Sequence, residues 1–145
     1  MTRICKSALV MHTPHEMYRL VNEVEHYPGF LPWCRRAEVL ERDETTQRAT
    51  LEMARGPLNK SFTTRNSMIP DAEIHLHLED GPFDKLEGIW RFVPLGEKGC
   101  KVTLDMEFSF SSRMLGAVLN PVFSEICSTL VDAFVKRANQ VYKRG

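Results

Sequence analysis

Between residues 112 and 143 the apolar side chains Leu115, Val118, Leu119, Val122, Phe123, Ile126, Cys127, Leu130, Val131, Phe134, Val135, Ala138, Val141 and Tyr142 recur at steps of three and one. That spacing is the period of a helix with one wide apolar face. Pro121 lacks the N–H that position 117 would need and its ring crowds that carbonyl. The pattern therefore predicts a short helical stretch, a break near Asn120, and a main helix from Pro121 to Tyr142, roughly 33 Å long. A stripe so wide and aromatic needs a large curved surface over it, and only the strands upstream can supply one.

Those strands are legible by alternation. Cys100, Val102, Leu104, Met106, Phe108 and Phe110 oppose Lys101, Thr103, Asp105, Glu107 and Ser109, and Ile74, Leu76 and Leu78 oppose Glu73, His75, His77 and Glu79. Each strand has one wet face. Turn residues at 42–44, 55–57, 69–70, 80–82 and 95–99 divide the rest into strands at 37–41, 47–54, 58–68, 71–79, 83–93 and 101–110, all with hairpin-length connections. A further stretch at 3–11 is compatible with a strand. Thr13-Pro14-His15-Glu16 opens a helix: Thr13 caps it, Glu16 reaches back, and Pro14 takes the position where a missing N–H costs nothing. These elements predict an α+β helix-grip fold in a single domain spanning 1–145, with a seven-stranded antiparallel sheet curved around a long C-terminal helix; the first strand joins by a longer route.

Composition narrows the function classes. With 19 basic and 19 acidic residues the formal charge is +0, so no bulk field draws the chain to nucleic acid or an anionic membrane. The apolar run at 8–11 is too short for a signal peptide or a membrane span, which predicts a cytoplasmic protein with no transmembrane segment. The four cysteines show no CxxC pairing and suit reduced thiols. No GxSxG, HExxH or Gly-rich phosphate loop is present. His75 and His77 share a strand face but lack an assured third ligand, so a solvated face is the expectation there and no metal or catalytic residue is assigned.

A bent sheet closing on a helix leaves space lined by its inward faces. Met53, Phe62, Leu76, Trp90, Phe92, Met106, Phe108, Leu119 and Phe123 are the candidates for that lining. The segment 26–34, with two prolines and a glycine among Tyr27, Phe30, Leu31 and Trp33, is too apolar for an idle loop. It is expected to lid the space, with Phe30 and Trp33 pointing inward.

Three blocks carry a resemblance: His26-Tyr27-Pro28-Gly29-Phe30-Leu31-Pro32-Trp33-Cys34, the stretch Gly81 to Leu95 around Trp90-Arg91-Phe92, and Val131-Asp132-Ala133-Phe134-Val135-Lys136-Arg137-Ala138. In this order they resemble the coenzyme Q-binding, polyketide-cyclase-like START family (SRPBCC-like), whose bacterial branch includes ribosome association toxins. Gly29 departs from the pattern, which favours an acidic residue there. The resemblance implies a helix-grip fold, no required cofactor, and a hydrophobic ligand such as ubiquinone or a related lipid, in support of respiration. Its alternative is a toxin that contacts the large ribosomal subunit, blocks subunit association and is held by a small antitoxin. A cyclase-like or hydrolase-like enzyme is the third option. For ribosome contact the candidates are Arg35 and Arg36 beside the apolar segment, and Lys136, Arg137, Lys143 and Arg144 at the helix end, where cations also favour the helix dipole.

Overall fold

Alternation in the second half of the chain becomes one sheet in the computed structural model, which describes residues 1–142. The strands are β1 (Thr2–Val10), β2 (Cys34–Arg42), β3 (Thr46–Arg55), β4 (Leu58–Ile69), β5 (Glu73–Asp80), β6 (Phe83–Leu95) and β7 (Gly99–Phe110), and the helices are α1 (Pro14–Asn22) and α2 (Arg113–Val141). Their order across the sheet is β1-β7-β6-β5-β4-β3-β2, antiparallel at every pairing. The longer route taken by β1 lies only in its sequence distance, since Thr2 opposes Phe108 and Val10 opposes Cys100. The seven strands curve around α2 in a helix-grip fold, as expected.

The caps explain where the helices start. Thr13 accepts the Glu16 amide at 3.1 Å while the Glu16 carboxylate accepts the Thr13 amide at 2.9 Å, a reciprocal capping box. Ser112 does the same work for α2 by accepting the Leu115 amide at 3.1 Å.

Two expectations are corrected here. The expected break near Asn120 is absent, and α2 runs through Pro121 without interruption. Both Pro121 and Ala117 lie on the exposed face, so the carbonyl that loses its N–H partner is turned to water and the missing bond is tolerated. β2 also begins at Cys34, three residues ahead of the expected 37, which places Arg35 and Arg36 on the strand; the register shifts between Cys34 and Arg36.

The opposite face of α2 buries Leu119, Phe123, Ile126, Cys127, Leu130 and Phe134. It packs on β1, β7, β4 and α1. By length and composition α2 is also apolar enough to cross a membrane, the one such helix among the described residues; in this fold its apolar face meets the sheet.

Candidate functional site

The concave face of the sheet and α2 do not meet everywhere, and a cavity of about 70 Å³ remains between them. β4 supplies Phe62, Thr64 and Asn66, successive inward positions of one strand. β6 and β7 supply Leu86, Trp90 and Met106, and α2 supplies Phe123, Ile126, Leu130 and Phe134. Gly88 makes room for this arrangement: a Cβ there would lie 2.8 Å from the Met106 sulfur and 3.2 Å from Leu76 Cδ1.

The apolar segment closes one side. Val24–Gly29 forms a 3-10 helix, and the buried Tyr27 hydroxyl donates to the Val21 carbonyl, pinning the segment to the end of α1. Burial raises the Tyr27 phenol well above its ordinary pKa, so it stays a neutral donor. Beneath it, Gln47 Nε2 donates to the Asn22 side-chain oxygen at 2.9 Å and to its carbonyl at 3.1 Å, while Arg42 forks onto Glu25 at 2.7 and 3.0 Å. Arg42 holds the Glu25 carboxyl below its usual range.

The structure brings together Trp33, Phe62, Leu76, Trp90, Met106 and Phe123 around the cavity. It places Leu31, Met53, Phe92, Phe108 and Leu119 elsewhere, buried in the packed core. Phe108, for example, meets Phe123 edge-on with centroids 4.7 Å apart, and Phe92 stacks against Trp90 at 6.3 Å. Of the two side chains expected to point inward from the lid, Trp33 lines the cavity and Phe30 does not. Phe30 is half-buried, packs edge-on against Tyr27 and Phe134, and carries the Arg137 guanidinium 5.1 Å above its ring.

Sequence reasoning missed Thr64, Asn66, Asn22, Tyr27, Ile126, Leu130 and Phe134 as lining residues. A signal for two of them was present: β4 alternation puts Thr64 and Asn66 on the same face as Phe62 and Met68, two polar side chains where an inward face should be apolar.

Phe30 and Arg137 instead border a second, outer groove of about 300 Å³ with Arg19, Glu23, His26 and Tyr142. Glu23 ties Arg19 at 2.7 Å and His26 at 2.9 Å. Arg137 has no carboxylate partner among the described residues, and Lys136 beside it is exposed. Arg35 and Arg36 are also exposed, with Arg35 3.6 Å from Glu52. Lys143 and Arg144 lie outside the described residues. On the outer sheet face His75 pairs with Glu73 at 2.7 Å. No group of three or more His, Cys, Asp or Glu able to hold a metal is found among the described residues.

The family model for polyketide cyclase/dehydrase and lipid transport matches residues 10–135. The chain belongs to this family. Within it, the chain is 47% identical to the ribosome association toxin RatA of Pseudomonas aeruginosa over 97% of this chain and 98% of that one. It is 34% identical to the mitochondrial coenzyme Q-binding protein COQ10 homolog B of Xenopus laevis, over 89% of this chain and 54% of that one. Among solved structures, the Zhui aromatase/cyclase from a Streptomyces species superposes with a TM-score of 0.85 over 98% of this chain and 96% of that one, at 16% identity, a likeness of fold alone. The family's fold can bind a hydrophobic ligand, and the cavity is of that kind. The ribosome association toxins are 37–47% identical to this chain, whereas the aromatase/cyclase, at 16%, is alike in fold alone.

Proposed function

We propose that the protein is a RatA-type ribosome association toxin that binds the large ribosomal subunit and blocks subunit joining. The observation that carries this is the 47% identity to the Pseudomonas aeruginosa toxin over nearly the full length of both chains. The outer groove supports it chemically. Arg137, without a carboxylate partner among the described residues, and the Phe30 and Tyr142 rings border one groove and suit the phosphates and base faces of exposed RNA. The test is co-sedimentation with isolated large subunits in a salt series. The protein should pellet with them at low salt and be released as salt rises, since phosphate contacts release counterions. Arg137→Ala should weaken that binding, and wild-type protein that stays at the top of the gradient at every salt would sink the proposal.

A second reading, a lipid-binding protein that holds a quinone in support of respiration, is favoured by the apolar cavity and by the likeness to the coenzyme Q-binding protein. Size weighs against it. The cavity is about half the volume of an engineered one that admits benzene, roughly 150 Å³, so a quinone ring with its isoprenoid tail enters only if the lid opens. One pair of variants separates the readings. Trp33→Ala, on the cavity side, should lower retained lipid about tenfold to a hundredfold and leave subunit binding intact, while Arg137→Ala should do the reverse. If Trp33→Ala abolished subunit binding and spared lipid, the assignment of the two sites would be reversed.

A further inference from the structure

Asn66 is 4% exposed and its side-chain oxygen has no hydrogen-bond partner. Its cross-strand neighbours explain why. On β3 it faces Gln47, whose amide nitrogen is already given to Asn22 and whose oxygen already accepts from Arg42 at 3.4 Å. On β5 it faces Leu76, which offers only methyl groups. A buried amide left in this state is costly, and native proteins seldom leave one so. Two residues earlier on the same inward face is Thr64, itself 8% exposed, and both side chains border the cavity. The wall elsewhere is mostly aliphatic and aromatic.

We infer that the Thr64–Asn66 end of the cavity is a hydroxyl-selective subsite for a slender apolar alcohol. A hydroxyl both donates and accepts, so it satisfies the Asn66 amide whichever way that amide is turned. An ether or a carbonyl oxygen only accepts, and it leaves the orphan acceptor as it was. The apolar wall then supplies contact while Asn66 fixes orientation, the usual division of labour in a small-molecule site. Slenderness follows from the volume of about 70 Å³, which favours a single hydroxylated chain over a ring. The inference rests on the coarser statement that the cavity takes an apolar ligand, and it is independent of the ribosome proposal.

The chain's only two tryptophans, Trp33 and Trp90, both line the cavity, so their emission reports what enters it. Titrating the protein with ethanol and, separately, with its isomer dimethyl ether, both small enough for a cavity of about 70 Å³, should give an affinity about tenfold higher for the alcohol, one buried hydrogen bond's worth. Asn66→Leu should bring the two affinities together by weakening the alcohol, with the ether unchanged or tighter. Thr64→Val provides a second variant and should narrow the gap in part. Equal affinities for the two probes in wild-type protein would overturn the subsite while leaving an apolar site standing. Failure of both probes to shift the emission would overturn the apolar site as well, and a preference that survived in folded Asn66→Leu would place the selective group elsewhere.

Discussion

Phe134 shows how much one side chain can join. It is 1% exposed, and its ring meets Tyr27, Phe30 and Trp90, each with centroids 5.4 Å apart, so it ties α2 to the lid and to β6. Phe134→Ala removes that ring from a space whose neighbours cannot close over it, and urea denaturation should show a loss of about 3–5 kcal/mol. The cysteines give a second prediction at this scale. Burial pushes the Cys127 thiol up to about 12 and the Cys34 and Cys100 thiols up to about 11, whereas Cys5 is exposed. Only the thiolate reacts, so an aromatic disulfide reagent at pH 8 should titrate one thiol in the native protein and four after denaturation. Two or more fast thiols in the native state would mean that the core around α2 opens readily.

Among elements, α2 carries the plainest lesson about what sequence conveys. Its apolar stripe from Leu115 to Tyr142 could be read directly, and so could the burial of Phe123, Leu130 and Phe134. Its continuity through Pro121 could not, because tolerance of a proline depends on which way the freed Ala117 carbonyl faces, and that is set by the sheet. Pro121→Ala should restore the missing bond and raise the unfolding free energy by about 1–3 kcal/mol, read as a higher urea midpoint. A lower midpoint would show that the proline itself favours the packed helix. The strands were legible because one face of each is wet, and β7 is the clearest case. The start of β2 was obscured by Pro32 and by the apolar crowding before Cys34. For the cavity, alternation identified Phe62, Leu76, Trp90 and Met106. It could not orient Phe30, since a 3-10 turn has no two-residue period to say which side chain faces in.

Over the whole molecule, ion pairs fasten the outer surface. Arg42 lowers Glu25, Arg48 lowers Glu79 and Arg3 lowers Asp105, each through a direct hydrogen bond. A carboxylate whose native pKa is depressed contributes stability above its ordinary value and loses it as pH falls through the native one. Melting temperature should therefore hold steady from neutral pH to about pH 5 and fall below about pH 4. Arg42→Gln should cost under about 1 kcal/mol at pH 7, because the pair with Glu25 is partly exposed, and the gap from wild type should narrow as pH falls through the depressed Glu25 value. The sheet order has a consequence in time. β1 leaves the ribosome about a hundred residues ahead of β7, its one strand partner among the described residues, so at roughly 5–20 residues per second it waits on the order of 5–20 s unpaired. Throughout that interval Ile4 and Ala8, which later pack against the core, are open to any other strand edge nearby. The nascent chain, and not the finished fold, is the state in which a chaperone has most to protect.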